Sequence, residues 1–232
     1  MQTWLWTHPL GDTDMAAFTN TEFEFGGMNH LALTCSDMQR TVDFYTHILG
    51  MKLVKTLEFT HDSGRGQHFF FDVGNGRDAI AFFWFDDAPP PAPGIAQSGR
   101  WLPGAPRRSA IGAMDHVALD VPRDKIEAYR DKLRAKGIEV TEIVNHSDRP
   151  GIAQYLPAEP NEDTFVRSIY FQDPDGITLE FACWGRPLTE ADVVHEPKTA
   201  ADLNYEKQVE TVHRAQAAAE AAGLVPHAMP TR

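Results

Sequence analysis

The stretch MNHLAL at residues 28–33 returns as MDHVAL at residues 114–119, with a histidine at the third position of both copies. His30 and His116 therefore stand at matching points of an internal repeat. In each copy the histidine and the alanine two residues later share one face of the expected strand. If the two repeats pair with pseudo-twofold symmetry, we expect these strands to meet and both imidazoles to enter one cavity.

The residues after each copy predict the same succession of elements: a strand, a helix and three more strands. The first module, 27–86, has expected strands at 30–35, 51–59, 68–73 and 79–85 and a helix at 37–49 that Thr34, Ser36 or Asp37 caps and Gly50 ends. The second module, 112–185, has expected strands at 115–121, 138–145, 167–172 and 177–184 and a helix at 124–136 that Gly137 ends. We therefore expect an α+β protein built from two related modules.

Three segments lie outside the two modules. Residues 1–26 are polar and irregular and form an expected N-terminal arm, whereas residues 87–111 are rich in proline and glycine and form an expected linker. Residues 186–232 are a tail, with a helix expected at 200–222 because that stretch is rich in Ala, Glu and Gln. The long loop at 146–164 interrupts the second module, and loops of this length are often functional. The arm and the tail favour a homodimer.

The composition limits the partners of the chain. Its 232 residues are 42% hydrophobic and 23% charged, as is typical of a globular protein. The formal net charge of -12 argues against nucleic acid or an anionic membrane as a partner. No apolar run is long enough to span a bilayer, and the N-terminus lacks a signal-peptide pattern, so we expect a cytoplasmic protein. Cys35 and Cys183 are expected to be buried free thiols, with a disulfide as the less favoured alternative.

A carboxylate completes the candidate site. Glu180 stands between Leu179 and Phe181 in the last expected strand, where an unpaired charge would be costly and a metal would compensate it. The matching position of the first module is Ile80 or Phe82, which is apolar either way. A lone histidine in a strand is more often structural, but two at matching repeat positions favour a metal site formed by His30, His116 and Glu180. Two imidazoles and one carboxylate favour Fe(II) or Mn(II), and Zn(II) is also compatible.

These residues resemble the vicinal oxygen chelate superfamily of glyoxalases, bleomycin-resistance proteins, fosfomycin-resistance enzymes and extradiol dioxygenases. The likeness covers about residues 27–185 and rests on the two histidine strands, on DFY at 43–45 with LGM at 49–51, and on DPDG at 173–176 before Glu180. The fold that the resemblance implies is a pair of βαβββ modules forming a half-open, eight-stranded barrel around a metal.

The stretch IYFQDPDGITLE at 169–180 is similar to the signature of extradiol ring-cleavage dioxygenases. The resemblance implies that Tyr170 bonds a catecholate oxygen and that His68 is an acid–base residue. The competing interpretations are a core ring for Tyr170 and a residue bordering the cavity for His68. The signature also expects a second histidine where this chain has NED at 161–163, and His146 is the candidate replacement.

The resemblance implies an Fe(II)-dependent extradiol-type dioxygenase that cleaves a catechol-like or enediol-like substrate with O2. Phe70, Phe82 and Trp84 are the expected substrate-binding residues of an apolar cavity, although alternation allows only some of the neighbouring rings to face inward. Two alternatives stay open. One is a metal-dependent lyase or isomerase of the same fold, and the other is a small-molecule-binding protein without enzymatic activity.

Overall fold

The structure is a computed structural model that describes residues 20, 22–23, 25–61, 64–92, 95–96, 99–147 and 159–224. The strands are β1 His30–Thr34, β2 Lys52–His61, β3 Gly64–Asp72, β4 Ala79–Phe85, β5 Val117–Asp120, β6 Val144–Ser147, β7 Thr164–Gln172 and β8 Thr178–Trp184. The helices are α1 Met38–Asp43, which a π-helix continues over Phe44–Ile48, α2 Ile126–Ala135 and α3 Tyr205–Ala221. Short 3-10 turns lie at Gly99–Trp101, Arg123–Lys125, Glu190–Asp192 and Ala200–Asp202.

The strands form two four-stranded mixed sheets of identical design. The first has the order β1-β4-β3-β2 and the second β5-β8-β7-β6, with the first strand of each module parallel to the last. This topology confirms the α+β class and the repeated βαβββ succession. The eight strands do not form a closed barrel, because each sheet is hydrogen-bonded only within its own module in the described residues.

The helix of the first module begins as the sequence predicts. Asp37 is the N-cap, and its carboxylate accepts a hydrogen bond from the Arg40 amide at 3.0 Å. The helix widens into π geometry, with Leu49 N donating to Phe44 O at 3.1 Å, before Gly50 ends it at a φ of 78°. A positive φ suits glycine, which has no Cβ to clash.

One predicted strand is much shorter than expected. The sequence indicates a strand over 138–145, but β6 begins only at Val144. The Thr141 amide donates to Tyr170 O, while the Tyr170 amide donates to the Thr141 hydroxyl at 3.0 Å. The Thr141 hydroxyl thus accepts the Tyr170 N–H in place of a backbone carbonyl, and the regular hydrogen-bond ladder between β6 and β7 starts three residues later, at Val144.

The helix-facing sides of the two sheets share one hydrophobic core. Tyr45 of the first module is fully buried, and its hydroxyl donates to Asp173 of the second at 3.3 Å. At the rim, Asp175 accepts hydrogen bonds from Ser36 and Arg40. The modules therefore meet through the sheet faces that carry the helices.

This packing corrects one expectation about the histidines. The opposite sheet faces, here called the outer faces, remain separate within the chain. His30 lies on the outer face of the first sheet and His116 on that of the second, so their strands do not pair as predicted. The apolar residues of β1 and β5 pack into the shared core, so the face of each sheet that carries its histidine points away from that core.

The remaining predictions concern the thiols and the ends of the chain. Cys35 and Cys183 are buried and free, as expected. The tail helix runs over Tyr205–Ala221, and Asn204 caps it by accepting from the Lys207 amide. The N-terminal arm lies mostly outside the described residues, as does most of the 146–164 loop. Within the described ranges, no helix has both the length and the hydropathy needed to cross a membrane.

Candidate functional site

The outer face of the second sheet brings His116 and Glu180 into direct contact. His116 Nε2 lies 2.8 Å from Glu180 Oε2, and Glu180 is only 5% exposed. The register explains this contact. Glu180 of β8 pairs with Ala118 of β5, and His116 lies two residues before Ala118 on the same face of the sheet. Two of the three predicted metal ligands therefore converge.

Asp115 orients the His116 ring. Its carboxylate lies 2.9 Å from His116 Nδ1, which leaves Nε2 facing Glu180. The first module repeats this device with an amide, because Asn29 Oδ1 lies 2.7 Å from His30 Nδ1. A hydrogen bond to one ring nitrogen fixes the other for a ligand, as in many metal sites. The sequence signal was present, since an acceptor side chain precedes the histidine in both copies, but our prediction missed it.

The electrostatics of the pair favour a protonated His116 beside an ionised Glu180. The hydrogen bond with Glu180 raises the pKa of His116 against the effect of burial, and Asp115 adds to this. Burial acts to raise the pKa of Glu180, but hydrogen bonding and the charge of His116 outweigh it and leave the value below the ordinary one. A proton between Nε2 and the carboxylate thus occupies the place that a cation would take.

Tyr170 and His146 complete the polar part of this face. Tyr170 pairs with Glu180 across the strands, and its hydroxyl lies 3.2 Å from His146 Nε2. Burial, followed by the charge of Glu180, raises the pKa of Tyr170 to about 12, whereas burial lowers the pKa of His146. Near neutral pH, the pair is therefore a protonated phenol beside a neutral imidazole. An open cavity of about 390 Å³ joins these four residues: His116, His146, Tyr170 and Glu180.

The outer face of the first sheet is aromatic. The His30 ring lies 5.3 Å from Phe70 and 6.4 Å from His68, measured between centroids. His68 stacks on Phe83 at 3.6 Å, and its Nε2 is buried without a hydrogen-bond partner in the described part of the chain. Burial, with a contribution from the charge of His30, lowers the pKa of His68. This face thus holds His30, His68 and Phe70 together, apart from Tyr170 and Glu180.

Two of the expected substrate-binding residues point elsewhere. Phe82 is fully buried in the core against Tyr45, and Trp84 packs on the same side of β4. The alternation of β4 instead places Phe83 beside His68, so Phe83 takes the position that we had predicted for its neighbours.

The register also corrects the position that matches Glu180. β1 pairs Ala32 with Ala81, as β5 pairs Ala118 with Glu180. The equivalent residue is therefore Ala81, between the two candidates Ile80 and Phe82 that the sequence indicated. The conclusion that the first module lacks a carboxylate there is unchanged.

The donor set on the second face fits a divalent metal only in part. An imidazole nitrogen and a carboxylate oxygen are suitable donors for Fe(II), Mn(II) or Zn(II). Within the described ranges, however, no group of three or more His, Cys, Asp or Glu side chains is arranged to hold a metal. His30, the third predicted ligand, lies on the other sheet, so one chain does not bring the three predicted ligands together.

The chain is similar to several known proteins. The chain is 27% identical to the "Putative ring-cleaving dioxygenase MhqE" of Bacillus subtilis (strain 168) over 68% of its own length and 48% of that protein, so it spans about half of this relative. It is 24% identical to the metallothiol transferase FosB of Shouchella clausii (strain KSM-K16), over 76% of this chain and 91% of FosB. The solved structure of FosX from Listeria monocytogenes with Mn(II) and sulfate matches 68% of this chain and 93% of FosX, at 15% identity and a TM-score of 0.40.

The family model matches most of the two modules. Residues 27–181 fit the model described as the Glyoxalase/Bleomycin resistance protein/Dioxygenase superfamily. This range contains both histidine strands, Tyr170 and Glu180, and it ends within β8. The chain therefore belongs to the Glyoxalase/Bleomycin resistance protein/Dioxygenase superfamily.

Proposed function

We propose that this protein is a metal-dependent dioxygenase of the extradiol type, which opens the ring of a catechol-like vicinal diol with O2. The observation that carries the proposal is the contact of His116 Nε2 with Glu180 Oε2 at 2.8 Å, beside Tyr170 and His146 on one face. The similarity to MhqE supports it at the level of reaction class.

His116, Glu180 and His30 are the residues that would hold the metal. Fe(II) is the favoured ion, and Mn(II) and Zn(II) suit the same donors. Bound there, Fe(II) would supply vacant positions for a vicinal diol and for O2 and a path for charge between them. Asp115 and Asn29 would keep the Nε2 atoms of the two histidines turned toward the ion.

A second copy of the chain would supply His30. Both outer faces expose apolar residues: Leu57, which pairs with His68 on the first sheet, is 42% exposed, and Trp184 on the second sheet is 51% exposed. Exposed apolar residues on a sheet favour contact with another surface. A symmetric dimer that lays the first sheet of each copy on the second sheet of the other would complete two identical sites. His68 and Phe70 would arrive with His30, since the three rings lie together.

The protein's own residues divide the work by position. The Tyr170 hydroxyl would donate a hydrogen bond to an oxygen of the diol, and His146, 3.2 Å from it, would accept or return a proton. The buried Nε2 of His68 would serve a proton transfer on the opposite side of the cavity. Phe70 and Phe83 would form an apolar wall against an aromatic ring.

Two other functions have a specific observation in their favour. The match with FosB extends over 91% of the FosB chain, which favours a metal-dependent transferase, lyase or isomerase that needs no O2. The separation of His30 from the His116–Glu180 pair in one chain favours a small-molecule-binding protein that needs no metal.

One set of measurements separates the three functions. Protein reconstituted with Fe(II) under anaerobic conditions is mixed with a panel of catechols, and O2 consumption and the yellow ring-opened product are followed. The dioxygenase proposal expects both, with loss of both after chelator treatment. Metal-dependent turnover of a substrate without O2 consumption would overturn the proposal in favour of the transferase or lyase. Unchanged ligand affinity after chelation, with no turnover, would support the binding protein instead.

A further inference from the structure

Arg100 lies over Tyr170 of the candidate site, and although its charge acts on Asp115, no ion pair to its guanidinium is seen among the described residues. Its guanidinium carbon is 4.1 Å from the centroid of the Tyr170 ring. Arg100 belongs to the 3-10 turn Gly99–Trp101 of the linker between the modules, so the linker reaches the outer face of the second sheet. The Tyr170 ring beneath this cation lines the cavity together with His146 and Glu180.

The guanidinium lacks an acceptor within the described part of the chain. Arg100 Nε is buried without a hydrogen-bond partner, and no carboxylate of the described residues lies within ion-pair distance. Six other arginines find carboxylates: Arg40, Arg65, Arg130, Arg134, Arg167 and Arg186.

The next residue leaves a second donor unused. The indole Nε1 of Trp101 is buried, and it too has no acceptor among the residues that the structure describes. Buried N–H groups are paired in most proteins because an unmade hydrogen bond is costly. Two neighbouring donors without acceptors on one turn, one of them charged and stacked on Tyr170, point to an acceptor that arrives from outside.

Resting on the proposed function, we infer that Arg100 is a specificity-determining residue that binds an oxyanion, a carboxylate or a phosphonate, carried by the aromatic substrate. The planar fork of a guanidinium matches the two oxygens of such a group, and stacking on Tyr170 holds the fork in place. The substrate class is therefore a catechol-like diol with an acidic substituent.

The test measures binding apart from turnover. Calorimetry with the Fe(II)-loaded full-length protein under anaerobic conditions compares catechol, 3,4-dihydroxybenzoate and 3,4-dihydroxyphenylphosphonate. We expect one or both acidic ligands to bind at least about 10-fold more tightly than catechol, since charged hydrogen bonds have that strength. The ratio between the two acidic ligands identifies the preferred oxyanion. Equal affinity for all three ligands would overturn the inference.

Three variants locate the effect. Arg100→Gln should remove the preference, with catechol affinity unchanged within about two-fold, and Arg100→Lys should restore only part of it because the fork is lost. Arg107→Gln, an exposed arginine of the same linker, is the matched control and should keep wild-type behaviour. Circular dichroism checks that each variant is folded. An unchanged preference in Arg100→Gln would overturn the inference.

The outcome is separable from that of the proposed function. If no catechol supports O2 consumption but the preference for acidic ligands depends on Arg100, the anion site stands and the dioxygenase proposal falls. If catechol cleavage occurs and Arg100→Gln changes neither the affinity nor the KM for acidic substrates, the dioxygenase proposal stands and the anion site falls.

Discussion

The outer faces of the two sheets carry different chemistry at matching positions. In both modules the first strand places a histidine beside the last strand, with an acceptor side chain on its Nδ1. Elsewhere the two faces differ. According to the strand registers, the positions of Glu180, Tyr170 and Ser168 in the second module correspond to those of Ala81, Phe70 and His68 in the first. The outer face of the second module carries the Glu180 carboxylate and the Tyr170 phenol, whereas that of the first module is aromatic.

Under the proposed function, the two faces are the two halves of one site. The second face has an anionic ligand and a pair of proton-handling groups, Tyr170 and His146, but only one histidine aimed at the carboxylate. The first face has a histidine with a fixed ring and aromatic neighbours, but no acid. Each half lacks what the other holds, and the modules of one chain do not bring the halves together because their helix sides are already packed.

The largest expected effect of breaking this division is the loss of metal from variants of the second face. His116→Ala and Glu180→Gln should each abolish stoichiometric Fe(II) binding, because each removes one of the three proposed ligands. His47→Ala is the matched control, since that histidine is 74% exposed in its side chain and belongs to the π-helix Phe44–Ile48 and to neither outer face. Elemental analysis and circular dichroism measure metal content and folding. Full metal content in either second-face variant would contradict the ligand assignment.

A second effect concerns the contact between the modules. Burial raises the pKa of Asp173 to about 6, although its hydrogen bonds act the other way. A carboxyl whose folded pKa exceeds the unfolded value binds more protons when folded, so it lowers the free energy of unfolding as pH rises through this window. The shift from 3.8 to about 6 corresponds to at most about 3 kcal/mol. Asp173→Asn removes this dependence and keeps an oxygen for the Asp175 and Ile177 amides.

Chemical denaturation of wild type and Asp173→Asn between pH 4 and 7.5 tests this effect. The stability of the wild type relative to the variant should fall by up to about 3 kcal/mol, mostly between about pH 4 and pH 6. A relative stability that does not change with pH, or that rises, would refute a buried carboxylate at the contact with Tyr45.

A smaller effect sharpens the comparison between Asp115 and Asn29. Asp115→Ala should lower metal affinity about 10- to 100-fold, as expected for a group that orients a ligand. Asp115→Asn should lose much less, because its amide oxygen can hold His116 Nδ1 as Asn29 holds His30. Competition titration with a chelator of known affinity measures both. Equal losses in the two variants would show that charge, and not ring orientation, is the contribution of Asp115.

The sequence predicts much of this molecule because the repeat is local and periodic. MNHLAL and MDHVAL, with Gly50 and Gly137 at the helix ends, indicate the two modules and their order of elements. The contact of His116 with Glu180 follows from a strand register within one module. These features depend on neighbouring residues or on one ladder, where the alternation of side chains is regular.

The long-range features were beyond that reasoning. The predicted convergence of His30 with His116 required the modules to pack by their outer faces, but the apolar positions of the two helices bury the opposite sides. Phe82 and Trp84 were placed on the wrong face of β4, since an unbroken run of aromatic residues gives no alternation to read. Arg100 was missed because a linker path leaves no periodic signal.

The central claim, that two copies share each metal site, is tested most directly by isolated heterodimers made with two affinity tags. A heterodimer of His30→Ala with Glu180→Gln has one complete site if the ligands come from both chains, so we predict about half of the wild-type metal content and O2 consumption. The matched control pairs the wild type with a chain carrying both substitutions, and it should have no complete site. The reverse pattern, with no metal in the first heterodimer and about half in the second, would contradict the account.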